Sequence, residues 1–375
     1  PRAGIDGDTI MLRPFPVADD EQKDAAAESE LDWVMQFILG IRQIRGEMDI
    51  SPGKSLPVIL ETPGDTDLDY ADRNRLLLER VGRVESVNPL ADGEESPPSA
   101  TALLGNMRLL VPMAGLIDEK TTAIFCESIG NPAGNIVDIE ALADMAHEHG
   151  VPLIVDNTVP TPALIKPIEW GADIVVHSLS KTAAAGGCTI SGAVIARHDL
   201  VSRHLDDEVK ADYGLWLKLW PFRDSGPAMS PETAHTVLSE VRTLRLKIEQ
   251  MSKNTLAVAH WLADHPRVER VDYLGLENHP LHGLARRYMQ VVDDGTPMFG
   301  HLMSFNVRGS AQDTRTFFDG LQRTWRATDL GRIKSVATIP AISTHQQQGE
   351  EGRELAGIPA NMVRLCVGAE HPDDT

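Results

Sequence analysis

Between residues 31 and 46 the chain repeats large apolar side chains at helical spacing. Trp33, Phe37, Ile41 and Ile44 fall on one face, which predicts an amphipathic helix ending near Gly46. A loop, Ile50-Ser51-Pro52-Gly53-Lys54, then leads into a predicted strand at 56–60. Residues 73–82 read as helix, and 84–87 and 109–111 as strands. Residues 92–99, with two prolines and three charges, read as a surface loop. Beyond residue 122 the pattern shifts to short Val- and Ile-rich runs bounded by Pro and Gly. The runs at 153–155 and 174–176 predict fully buried parallel strands, with further strands at 123–126 and 193–196. Residues 139–149 predict a helix closed by Gly150, and 163–170 leave room for one or two helical turns of crossover, which makes a βαβ unit. Trp216, Leu219 and Trp220 read as packing residues, and the neighbouring acidic run as a solvated face. A long helix from 231 to about 265 then enters a smaller C-terminal unit with strands at 268–273, 302–307 and 363–367.

Length and charge narrow the classes. The 375 residues suffice for two or three domains, at 42% hydrophobic and 24% charged, an ordinary globular balance. A net charge of -20 argues against a broad nucleic-acid face, which needs clustered Lys and Arg. Cys126, Cys188 and Cys366 show no ligand spacing and read as buried or free thiols in a reducing cytoplasm. His279 and His282 lack the third and fourth ligands of a zinc site, so no metal is expected. No apolar run reaches membrane-spanning length and no signal peptide is visible, and the opening Pro1 is what a piece of a longer chain would show.

The candidate chemistry lies between residues 152 and 181. One predicted strand runs into Asp156, and the next runs into His177-Ser178-Leu179-Ser180-Lys181. In open α/β sheets the working residues sit just past the carboxyl ends of the strands. An acid and an amine at neighbouring strand ends are what a pyridoxal phosphate site needs. The lysine forms the Schiff base, and the carboxylate keeps the pyridine nitrogen protonated. By themselves the two residues also fit a turn cap and a surface lysine.

The surrounding letters, Asp156-Asn157-Thr158, then Ser178-Leu179-Ser180-Lys181 and Gly186-Gly187, resemble the Cys/Met-metabolism family of pyridoxal phosphate enzymes, which includes O-acetylhomoserine sulfhydrylases, cystathionine γ-synthases and methionine γ-lyases. The resemblance runs from about 119 to 375. It implies a partial type I pyridoxal phosphate-transferase fold, α/β with a parallel-rich sheet and a smaller α+β C-terminal domain. It further implies Lys181 as the cofactor-bearing residue, Asp156 at the pyridine nitrogen, Asn131 at the 3-oxygen, and Ser178 and Ser180 at the phosphate. Arg364 would hold the substrate α-carboxylate, a planar anion that suits a guanidinium. The implied reaction is γ-replacement on an O-acylhomoserine, in a homo-oligomer acting on a small amino acid. γ-Elimination stays open. The family's N-terminal half, its ring-stacking tyrosine and its Tyr-x-Arg do not appear, so turnover is expected to be very low. The chain also stops at Thr375, short of the family's final helix. The family's Pro-Ala-Ser reads Pro340-Ala341-Ile342 here, so a substrate-carboxylate contact is either lost or moved to Ser343.

Residues 1–118 differ in character. The wording WVMQFILGIRQIRGEMDISPGK, then ATALLGNMRLLVPMAGLID, resembles the C-terminal anticodon-binding region of bacterial valyl-tRNA synthetases, and implies a small α+β segment before the α/β part. With 22 acidic against 11 basic residues, tRNA binding is not expected unless Arg42, Arg45 and Lys54 form a local patch. Three units are therefore expected, at 1–118, 119–230 and 231–375. The alternative is a synthetase-derived binding module or a chimeric fragment without activity.

Overall fold

The computed structural model describes residues 24–48, 50–51, 53–91, 93–94, 96–105, 107–184, 189–289, 296–348, 353 and 357–371. The acidic start of the chain, Gly186-Gly187, Cys188 and the last four residues lie outside them.

The N-terminal helix α1 (Ala25–Glu47) starts earlier than its apolar stripe, because Asp24 caps it by accepting the amides of Ala26 and Ala27. Its stripe of Trp33, Phe37, Ile41 and Ile44 is buried against a four-stranded sheet. The strands are β1 (Leu56–Glu61), β2 (Val84–Pro89), β3 (Ser99–Leu104) and β4 (Met107–Pro112), in the order β2-β1-β4-β3. The predicted helix at 73–82 is two helices, α2 (Asp65–Arg73) and α3 (Arg75–Val81), broken at Asn74. The Asn74 side chain donates to Tyr70 O and Glu30, so it competes with the helical ladder. β3 carries no apolar run and was not predicted; its hairpin pairing with β4 makes it a strand.

The second sheet contains β5 (Ile124–Glu127), β6 (Leu153–Asp156), β7 (Ile174–Ser178) and β8 (Gly192–Ala196) in that order. The first three are parallel, and β8 returns antiparallel to β7. Helix α4 (Ile139–Glu148) starts at the Asp138 cap and ends before Gly150, whose φ of 66° suits a residue without a Cβ. The short α5 (Thr161–Leu164) and a 3-10 turn at Pro167–Trp170 carry the crossover to β7. Three short helices follow, α6 (Asp207–Ala211), α7 (Tyr213–Leu217) and α8 (Arg223–Ser225). Here the packing expectation fails. Leu219 and Trp220 stand largely in solvent, at 45% and 54% exposure, with Trp220 under the Arg223 guanidinium.

The long helix is α9 (Pro231–Val241) and α10 (Leu244–Ala263), interrupted where the Thr243 hydroxyl donates back to Glu240 O. The third sheet has β9 (Val268–Asp272), β10 (Leu302–Val307), β11 (Trp325–Arg326), β12 (Val336–Thr338) and β13 (Met362–Cys366) in the order β11-β12-β13-β10-β9. Helices α11 (His282–Tyr288) and α12 (Ala311–Asp319) join its strands. β13 is central and buried at every position. The second and third sheets share one apolar core, while the N-terminal sheet and α1 enclose a separate one.

Candidate active site

Parallel strands place their carboxyl ends on one edge, and most of the predicted site residues gather there. Asp156 ends β6, level with Glu127 on β5 and Val176 on β7. Asn131 follows β5, and Ser178, Ser180 and Lys181 follow along the exit of β7. Asp156 acts as a turn cap as well, since its Oδ1 accepts the amide of Thr158 at 2.9 Å. Thr158 in turn accepts the Ser178 amide on its Oγ1 at 2.8 Å, which ties the exits of β6 and β7 together. The Ser180 hydroxyl is engaged twice with Ser191, donating to its carbonyl at 3.1 Å and accepting its amide at 2.8 Å.

Arg364 joins this edge from the other sheet. It sits mid-way along β13 at 1% exposure. Its Nη1 donates to Asn131 Oδ1 at 3.3 Å, and Nη2 to the carbonyls of Thr328 at 2.9 Å and Asp329 at 2.6 Å. Its Nε is buried without a hydrogen-bond partner. A buried guanidinium held by neutral oxygens, with a donor to spare, is suited to receiving an anion. Ser343 is not brought into this set. Its hydroxyl donates to Ile339 O at 2.7 Å and lies 2.8 Å from Thr338 Oγ1, so it closes its own turn.

The charges of the edge act on each other. Burial, and then the Asp156 charge, raise the Glu127 carboxyl above its ordinary range. Burial lowers the His177 imidazole, and the Asp156 charge opposes that. Lys181 Nζ is paired with an acid the sequence did not single out, Asp329 Oδ1 at 3.0 Å. Beside it, Thr182 Oγ1 is 2.7 Å from Nε2 of the buried His301, whose pKa burial pushes down to about 4. Asp329, Thr158 and His301 escaped the sequence reading. Asp329 lies 148 residues from Lys181 and His301 119 from Thr182, and no local spacing points to them. The sequence context Thr328-Asp329-Leu330-Gly331 does carry one signal, a glycine at φ 73°.

Arg45 donates to the carbonyls of Ser51 and Arg83, and Lys54 to that of Gly115, so both cations are engaged with backbone. Among the described residues no group of three or more His, Cys, Asp or Glu could hold a metal ion, and no helix is long and apolar enough to cross a membrane.

The carboxyl-end edge of a parallel sheet thus carries a lysine and an acid, and a buried arginine from the neighbouring sheet is bonded to Asn131 at that edge. The chain belongs to the Cys/Met metabolism PLP-dependent enzyme family, whose pattern matches residues 105–375. It is 38% identical over 282 residues to O-acetyl-L-homoserine sulfhydrylase 1 of Thermus thermophilus, covering 69% of this chain and 65% of that one. It is 34% identical over 258 residues to L-methionine gamma-lyase of Fusobacterium nucleatum, covering 68% and 60%. A crystal structure of cystathionine gamma synthase from Xanthomonas oryzae, in complex with aminoacrylate and cysteine, superposes with a TM-score of 0.63 at 27% identity, over 91% of this chain and 76% of that one. The chain thus spans about 65% of the length of the curated sulfhydrylases it matches.

Proposed function

We propose that this protein binds pyridoxal phosphate at Lys181 and carries out γ-replacement on an O-acylhomoserine, in the manner of an O-acetylhomoserine sulfhydrylase or cystathionine γ-synthase. The observation that carries the reading is that Asn131, Asp156 and Lys181 all lie at or just past the carboxyl ends of β5, β6 and β7, with Arg364 bonded to Asn131 and, like Lys181, to Asp329. The residues fit the cofactor on this chain's own chemistry. Asp156 is a carboxylate whose charge its neighbours feel, and Arg364 keeps an unused buried donor. When bound, pyridoxal phosphate supplies an electron sink for charge released at the substrate's α and β carbons.

The rest falls to the protein. Lys181 Nζ would hold the cofactor covalently and afterwards move protons at Cα and Cβ of the amino acid. Asp156 would face the pyridine nitrogen and stabilise positive charge there. Asn131 would donate to the 3-oxygen. Ser178 and Ser180 would donate to phosphate, Ser180 once its bonds to Ser191 have opened. Arg364 would orient the α-carboxylate through the donors not held by Thr328 and Asp329. Ser343 would contribute to the substrate contact only by leaving Ile339 and Thr338. The sulfur partner is sulfide, cysteine or methanethiol.

A steady-state assay with O-acetylhomoserine and sulfide tests the reading. Homocysteine should form, and Lys181→Ala should abolish it. Equal product from the variant would overturn it, and 2-oxobutyrate released in place of homocysteine would mark γ-elimination.

Residues 1–118 we read as a separate unit, similar to the valyl-tRNA synthetase C-terminal region and without a part in the chemistry, followed by units at 119–230 and 231–375. The separate core around α1 supports the first boundary. A cytoplasmic homo-oligomer completes the proposal. The exposed apolar side chains of Leu215, Trp220, Phe222, Leu238 and Leu246 support self-association.

A further inference from the structure

Asp329 gathers more of the site than any residue the sequence singled out. Its Oδ1 accepts Lys181 Nζ at 3.0 Å and the amide of Leu330 at 2.8 Å, and its Oδ2 accepts Arg332 Nη2 at 2.6 Å. Its carbonyl oxygen accepts Arg364 Nη2 at 2.6 Å. The carboxylate is 18% exposed and the Lys181 side chain 35%. Burial alone would raise the Asp329 carboxyl, but the bonds from Lys181 and Leu330 and the charges of Lys181 and Arg332 carry it below its ordinary value. The loop has little slack. Gly331, at φ 73°, packs so closely on Thr182 that a Cβ there would overlap the Thr182 hydroxyl and backbone. The carboxylate is therefore fixed against the turn that carries Lys181. Arg332, Arg364 and the buried Cys366 thiol are the other charged or titratable groups around the pair.

An ammonium has no lone pair to attack a carbonyl. We propose that Asp329 is a positioning residue that ties Lys181 Nζ into an ion pair in the cofactor-free protein, and that Lys181 bonds to an aldehyde only when this pair opens. The inference rests on the reading that Lys181 is the cofactor lysine. The step balances simply. The ammonium gives its proton to water, the free amine forms the C–N bond, and the aldehyde oxygen leaves as water. Asp329 retains Arg332 as its counter-ion throughout. Because the pair is partly exposed, its hold is a several-fold effect on the amine's reactivity and not a block.

The test is the rate at which Lys181 takes up methyl groups from formaldehyde and cyanoborohydride, at one fixed pH near neutrality, without cofactor, mapped by mass spectrometry. Asp329→Asn should label Lys181 about threefold to tenfold faster than the unaltered protein. Asp329→Glu should stay near the unaltered rate. Arg332→Gln should slow Lys181, because it leaves the carboxylate to the lysine alone. Lys166 and Lys247, paired elsewhere, serve as internal standards. Equal rates for the Asn variant and the unaltered protein would overturn the proposal. So would faster labelling in both Asp329→Asn and Arg332→Gln, which is what a loosened loop produces. A parallel sample with pyridoxal phosphate keeps the two readings apart. If the cofactor protects no lysine while the order of variants holds, the cofactor assignment fails and the ion-pair assignment stands.

Discussion

At the scale of single residues, the site depends on buried groups that are polar for a reason. His301 is fully buried and bonded to Thr182, next to the lysine, and burial holds its pKa at about 4. A histidine of ordinary pKa, about 6.5, takes a proton in the unfolded chain well before the folded one does. Between those two values the unfolded state binds more protons, so stability is fully present above about pH 6.5 and falls as pH drops toward 4. The expected loss is about 2 kcal/mol between pH 7 and pH 5. Urea unfolding of the protein and of His301→Gln at both pH values measures it. The variant should lack that portion of the pH dependence, and identical slopes would remove the assignment. The same scale shows what the sequence conceals. The strand-end positions of Lys181 and Asp156 were legible because short apolar runs mark those ends locally. Asp329 was not, because its link to Lys181 is made by folding and spans 148 residues.

Elements were legible where an apolar period carried them. The stripe of α1, the runs of β5, β6, β7 and β10, and the capped helix α4 follow from hydrophobic pattern and end signals. β3 and β12 did not, since pairing with neighbours defines them, and Ser99–Leu104 consists mostly of small residues. The breaks at Asn74 and Thr243 come from side chains that bond their own backbone, which the period cannot show. The loop before β12 is the element on which the site leans hardest. Gly331→Ala would force a Cβ into the left-handed region and against Thr182. The strain alone costs about 1–2 kcal/mol, with steric overlap added. The unfolding midpoint should fall accordingly, and the Lys181 turn should shift. An unchanged midpoint in denaturant would show that the loop is slack.

The whole molecule divides its apolar interior in two. Leu109, fully buried, belongs with α1 and the N-terminal sheet, whereas the site rests on the core shared by the other two sheets. Leu109→Ala should destabilise the N-terminal unit by about 2–4 kcal/mol. Pyridoxal phosphate affinity, followed by absorbance, should not change. Weakened cofactor binding in this variant would mean that the two cores are one cooperative unit. The family membership was legible from some thirty residues around Lys181, whereas the engagement of the Ser343 hydroxyl with Ile339 and Thr338 was not, because the turn after β12 makes those bonds.

The account stands on Lys181 as the residue that takes the cofactor. The protein is incubated with pyridoxal phosphate, reduced with borohydride, digested and mapped by mass spectrometry. The pyridoxyl mass is expected on Lys181 and should be absent from Lys181→Ala. Label on another lysine, or on none, would contradict the account.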